Sequence, residues 1–254
     1  MEYSNIAKRI CNWLQDTMGT DNGIIGLSGG IDSSVVAFLL KEALGKNRVY
    51  GVILPYYYYP TTGDEDLDSK NELANEDVRK DIEDATQVIN ILDIPFIYQE
   101  INDFVELFDN GEFDEYIISN VKAMARATYL DVLAKKYKGR IIGTTNKSEW
   151  ITGYFTKRGD GAVDDEPIKH LTKTQVWDLA KYLGVPNQII TKAPSARLWA
   201  GQTDEDEMGI TYAHLDQIIE TEKYLDPNNQ DPKVMIVKKL YNSTHHKRVG
   251  AWCL

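Results

Sequence analysis

Gly23-Ile24-Ile25-Gly26-Leu27-Ser28-Gly29-Gly30-Ile31-Asp32-Ser33-Ser34-Val35-Val36 decides the fold of this chain. A short apolar run, residues 23–27, reads as a buried strand. Paired glycines follow, then a segment from Asp32 to Leu44 whose apolar residues recur at helical spacing. Glycines let a backbone come close to a ligand and adopt positive φ. The free amide groups at the start of a helix favour phosphate. Ser28, Ser33 and Ser34 add hydroxyl donors. A carboxylate beside phosphates repels them unless it holds a cation, so Asp32 suggests Mg²⁺. A tight turn with Asp32 as helix cap would explain a bare Gly-Gly pair; the full string favours the phosphate reading. No lysine follows the glycines, which disfavours kinase or GTPase chemistry.

Outward from this loop, residues 6–18 place Ile6, Ile10, Trp13, Leu14 and Met18 on one helical face, and 49–54 is a second strand ending at Pro55. Strand, loop, helix and strand within about 35 residues predict an α/β fold, a Rossmann-like parallel sheet with helices on both faces. Further strands are expected at 96–99 and 140–143. Further helices are expected at 76–92, 116–137 and 172–183, the last stopped by Gly184 and Pro186, and near 211–224 and 231–242. Residues 55–75 show turn formers and acids without period and read as a surface loop. The whole chain, 1–254, reads as one domain with a C-terminal helical segment from about 211. In such sheets ligands lie at the carboxyl ends of the strands.

The formal charge is −11, which speaks against a nucleic-acid partner. No apolar run is long enough to span a membrane, and the N-terminus lacks a signal-peptide core. Cys11 and Cys253 sit at opposite ends of the chain and the four histidines show no metal-ligand spacing, which fits the reduced cytoplasm.

Three more segments carry chemistry. Residues 142–165 read IGTTNKSEWITGYFTKRGDGAVDD; residues 193–209 read APSARLWAGQTDEDEMG; and His246-Lys247-Arg248 form a basic cluster in an acidic chain. Glu149 is placed for a second metal carboxylate, and mixed charges in a glycine loop suit phosphates and ribose hydroxyls. Lys173 at a helix start is poorly placed for a cation unless something anionic lies nearby.

SGGIDSS resembles the pyrophosphate loop of the ATP pyrophosphatases, and the other three segments, in order, resemble the signatures of the NAD synthetase family within that group (adenine nucleotide alpha hydrolase-like). The resemblance spans residues 24–248. It implies that Gly26, Leu27, Ser28, Gly29, Gly30, Ile31, Asp32 and Ser33 hold the ATP phosphates. It further implies that Asp32 and Glu149 bind Mg²⁺, that Thr144, Lys173 and Ser195 contact ATP, and that Asp32 and Lys173 serve catalysis. Lys157, Asp164, His246 and Lys247 would contact the dinucleotide, and residues 193–209 would close on the site.

The chain departs from the family at three places. The family pattern N-x-K-A-R-x-R-M appears as Asn120-Val121-Lys122-Ala123-Met124-Ala125-Arg126-Ala127, so an arginine used on substrate is replaced by Met124, and Arg126 is the candidate substitute. The family's GDGGAD appears as Gly159-Asp160-Gly161-Ala162-Val163-Asp164, so Ala162 replaces a glycine and Val163 an alanine, and residues 56–75 look like an insertion. The implied reaction is ATP-dependent amidation of deamido-NAD to NAD with ammonia, through an adenylylated carboxylate; nicotinate mononucleotide is the alternative substrate. The first 22 residues are too few for a glutaminase domain, so the expected nitrogen donor is free ammonia, or ammonia delivered by a separate protein. The helix at 116–137 carries apolar residues on more than one side, with Ile117, Val121, Met124 and Ala125 on one of them. That predicts a homodimer interface, as the resembled family forms.

Overall fold

The computed structural model describes residues 2–59, 64–109, 111–194 and 203–250. Four strands form one sheet: β1 (Asn22–Gly26), β2 (Val49–Ile53), β3 (Phe96–Tyr98) and β4 (Gly139–Ile142). The order is β3-β2-β1-β4 and every pairing is parallel. The α/β expectation therefore holds, with strand positions within a residue or two of those read from the sequence.

Alternation along the strands splits the core in two. Ile25, Val49, Ile53 and Ile142 face α1 (Tyr3–Met18), α2 (Ile31–Leu44), the C-terminal half of α3 (Glu65–Leu92) and a helix at Lys173–Leu183 described below. Ile24, Val52, Leu54 and Ile141 face the other way, onto α4 (Asn102–Glu106) and α5 (Glu115–Lys136). The sheet order turns between β1 and β4, which puts a crevice above those two strands.

Beyond β4 come α6 (Lys147–Thr152), α7 (Lys173–Leu183), α8 (Asn187–Thr191), α9 (Asp204–Met208), α10 (Tyr212–Glu220), α11 (Pro232–Ser243) and α12 (His245–Arg248). Ile151, Met208, Tyr212, Leu215, Ile219, Val234 and Val237 make a third apolar cluster that seats this helical part on α6. α7 ends as the sequence indicates, at Gly184 with φ +77°.

Two expectations need correction. Residues 55–75 are not a surface loop. α3 starts at Glu65, capped by the Asp64 side chain, which accepts from the Leu67 amide. Its first turns leave their apolar residues exposed, Leu67 and Leu73 included, so they show no apolar stripe. Residues 55–58 continue the β2 course: Gln99 and Ile101 amides donate to the Ile53 and Pro55 carbonyls. Asn102 then takes over with its side chain, accepting from the Tyr57 amide at 3.0 Å and donating to the Tyr57 carbonyl at 2.7 Å. Asn75 does the same to Tyr58 at 2.8 and 2.7 Å. Both asparagines are buried, so these four bonds fix the tyrosine run firmly. The second correction is on α5. Val121 and Ala125 are buried in the core beneath the sheet, and the exposed apolar residues are Tyr116, Ile117, Met124 and Val132.

Candidate functional site

A cavity of about 560 Å³ opens above the carboxyl ends of the strands, a size suited to a nucleotide. Its floor is the glycine loop. The Leu27 amide donates to the Val52 carbonyl, so the loop leaves β1 still tied to β2. Ser28 is then folded over its own helix. Its amide donates to Ser33 Oγ, its Oγ accepts from the Gly30 amide, and Ser33 and Ser34 hydroxyls both donate to the Gly30 carbonyl. Gly29 has φ +73°, and a Cβ there would lie 2.2 Å from the Asp81 carbonyl oxygen, so the position takes glycine alone.

Above the loop, three elements converge on one lysine. Lys173, the first residue of α7, is 3% exposed. Its Nζ lies 2.6 Å from Asp32 Oδ2 and 3.2 Å from Glu149 Oε1. Asp32 comes from the first turn of α2 and Glu149 from the first turn of α6. Asn146 holds both acids. Its side chain donates to Asp32 Oδ1 at 3.0 Å, and it forms a reciprocal cap with Glu149. Asp204, at the start of α9, approaches the same group and accepts from the Tyr212 hydroxyl at 2.9 Å. Burial pushes the Glu149 carboxyl pKa up, while the Lys173 ammonium in contact with it favours the carboxylate. The same carboxylates raise the Lys173 pKa, overcoming its own burial, so the ammonium keeps its charge. The anionic neighbours that a lysine at a helix start requires are thus Asp32 and Glu149.

A cation is already drawn to the point where Asp32 and Glu149 meet. Both donors are hard carboxylate oxygens, the set that Mg²⁺ takes when substrate phosphates complete its shell. The residues fit the ion, in competition with Lys173.

The tyrosines and Lys122 of the side wall were not foreseen. Tyr56 and Tyr58 line the cavity with Lys122 and Arg126 of α5. The Lys122 ammonium lies 4.1 Å from the Tyr56 ring centre and 4.4 Å from that of Tyr58, and donates to the Tyr58 hydroxyl at 3.1 Å. Burial, with Arg126 adding repulsion, lowers its pKa to about 8. Arg126 reaches the cavity as expected, anchored by Nε to the Leu54 carbonyl at 3.0 Å, whereas Met124 is exposed outside it.

Thr144 lines the cavity at the end of β4. Lys247 also lines it, but its Nζ donates to the carbonyls of Gly153 and Phe155 at 2.8 and 2.6 Å. Arg248 donates to the Ile151 carbonyl and to Thr244, so together they cap the end of α6. Lys157 donates to the carbonyls of His246 and Val249, and Asp164 accepts from the Ile141 amide. Lys157, Asp164 and His246 do not line the cavity. Ser195, with the rest of 195–202 in the expected closing segment, lies outside the described residues. Lys122, Lys192, Asp81, Asp204 and Glu207 line the cavity and went unread; Asp204 and Glu207 stand within the quoted 193–209 segment and were the signal available.

The family model for NAD synthase matches residues 6–251. The chain belongs to the NAD synthase family. It is 40% identical to an NH(3)-dependent NAD(+) synthetase of Archaeoglobus fulgidus, over 98% of this chain and 95% of that one. Among solved structures it resembles NMN synthetase from Francisella tularensis (TM-score 0.84, 35% identity, 100% of this chain and 99% of that one). It also resembles an NH3-dependent NAD synthetase from Campylobacter jejuni (TM-score 0.76, 25% identity, 100% of both chains). The family and the fold agree with the resemblance read from the sequence.

Proposed function

We propose that this chain is a carbon–nitrogen ligase that amidates deamido-NAD to NAD with ammonia, converting ATP to AMP and pyrophosphate through an adenylylated carboxylate. The observation that carries the reading is the meeting of the glycine loop with Asp32, Glu149 and Lys173 in one nucleotide-sized cavity, in a family whose relatives bear that activity in their names. A carboxylate is a poor acyl donor, and transfer of AMP to its oxygen supplies a leaving group. The loop amides and Lys173 oppose the charge that builds on the departing pyrophosphate. Mg²⁺ held by Asp32 and Glu149 would supply further neutralisation of the phosphates. Lys122, Arg126 and the tyrosine wall hold the nucleosides in line. No protein nucleophile is required.

A second reading, amidation of nicotinate mononucleotide, is favoured by two observations: the Francisella neighbour is an NMN synthetase, and this chain has Met124 outside the cavity where the sequence pattern expects an arginine. Purified protein with ATP, Mg²⁺, ammonium and either substrate decides between them. Amide and AMP should form in equal amounts with deamido-NAD. Product from the mononucleotide alone would overturn the first reading, and no substrate-dependent pyrophosphate would overturn both.

We also propose a homodimer in the cytoplasm. Ile117, Met124 and Val132 recur at helical spacing along the outer side of α5. Light scattering should give a dimer mass, and Met124→Glu should shift it to monomer. A monomeric wild type with full activity would remove the dimer.

A further inference from the structure

Beside the glycine loop stands a second ion cluster that the reaction as derived leaves unused. Lys192, just after α8, places Nζ 2.6 Å from Asp81 Oδ1 and 2.5 Å from Asp84 Oδ2, both on α3. The same ammonium lies 3.3 Å from the Gly29 carbonyl oxygen. Lys192 and both acids are largely buried, at 19%, 15% and 13% side-chain exposure. The Asp81 backbone is packed directly on Gly29, so both acids stand at the edge of the loop. Gln188 also donates to Asp84, from α8. Asp81 and Lys192 line the cavity together with Ser28, Gly30 and Asp32.

The charge count makes this pair matter. Among the described lining residues, Asp32, Asp81, Glu149, Asp160, Asp204 and Glu207 oppose Lys122, Arg126, Lys173, Lys192 and Lys247, six acids to five bases. A triphosphate brings several more negative charges to the loop. Two carboxylates packed at its edge would repel it at short range unless a cation stayed on them. A lysine suits that task, since its ammonium offers three donors, enough for both acids and the loop carbonyl.

Resting on the ATP reaction above, we propose that Lys192 is a positioning residue for the triphosphate: it offsets part of the charge of Asp81 and Asp84 and ties them to Gly29, so that the loop accepts phosphate. The role is electrostatic and acts through the two acids, without a bond from Lys192 to ATP.

Calorimetric titration of the full chain with MgATP tests this directly, paired with steady-state KM values for both substrates. Lys192→Met should weaken ATP binding about tenfold or more while the pyridine nucleotide KM moves about twofold or less. Lys192→Arg should stay close to wild type. Adding Asp81→Asn and Asp84→Asn to Lys192→Met should return most of the lost affinity, because the acids no longer need a counter-charge. A triple variant as weak as Lys192→Met would overturn the proposal, as would an equal loss for both substrates. If Lys192→Met fails to fold by thermal melt, Asp81→Asn/Asp84→Asn alone decides: ATP should bind more tightly than to wild type, and unchanged or weaker binding overturns it. Wild-type protein that binds ATP but forms no amide would refute the ligase reading and leave this test standing.

Discussion

Lys173 and Lys247 are both lysines on the wall of the same cavity, and they are held by opposite means. Lys173 sits among carboxylates, with Asp32 and Glu149 in direct contact. Lys247 sits among backbone carbonyls, those of Gly153 and Phe155. Burial lowers the pKa of Lys247, whereas the acids around Lys173 raise its own. A lysine paired with acids is part of a charge balance that an incoming phosphate or metal rearranges. A lysine spent on helix-end carbonyls is part of the scaffold, since releasing it would leave those carbonyls unpaired. The contrast separates chemistry from support within one lining.

The sharpest way to break that division is at the acid end. Asp32→Asn should reduce ATP–pyrophosphate exchange by about 10²-fold or more, the scale seen when a charge-stabilising group is lost from an active site. The melting profile should stay cooperative, because the amide oxygen can still accept from one of the two donors, Asn146 or Lys173. Activity within a few-fold of wild type at saturating Mg²⁺ would remove Asp32 from the chemistry. At the carbonyl end, Lys247→Met should cost about 1–3 kcal/mol of stability for its two bonds, or roughly 3–8 °C in melting temperature. Its kcat should stay within about threefold of wild type. A large kcat loss with an unchanged melt would move Lys247 into the catalytic set and erase the distinction.

Glu166 gives the smallest test. One of its oxygens is buried without a partner among the described residues, and burial raises its pKa to about 7 from an ordinary 4.5, against the pull of Lys169 and of hydrogen bonds from Thr145. The folded state therefore holds this proton more tightly than the unfolded chain. The stability it contributes is full below pH 4.5 and is lost as pH rises through 7. Glu166→Gln should match wild type near pH 5 and exceed it at pH 8 by about 1–2 kcal/mol, a few degrees in the melt. Equal melts at pH 8 would mean that the carboxylate is already satisfied.

What could be read in advance follows the same line between local and distant. The glycine loop, β1 and α2 are contiguous, so strand, turn and helix signals lie side by side in the sequence. The Asp32–Glu149–Lys173 meeting was legible only through the motifs around each residue, since the three positions are far apart in the chain. The capping of α6 by Lys247 and Arg248 depends on carbonyls more than ninety residues away, and a carbonyl leaves no trace in a sequence. The start of α3 was missed because its first turns bury nothing, which removes the periodicity by which helices are recognised. Val121 was assigned to an outer face because α5 shows apolar residues on several sides, and only the sheet decides which side is inward.

Asn75 and Asn102 hold Tyr57 and Tyr58 by main-chain atoms alone. Each side-chain amide imitates a neighbouring strand for a single residue. The course of the chain at Tyr57 and Tyr58 is therefore held at its backbone, independently of the contacts that the rings make with Lys122. Position and chemistry are separable there. The run from 56 to 59 works as a socket into which other residues can be fitted, letting the wall change what it prefers to touch while the sheet beneath it stays as it is.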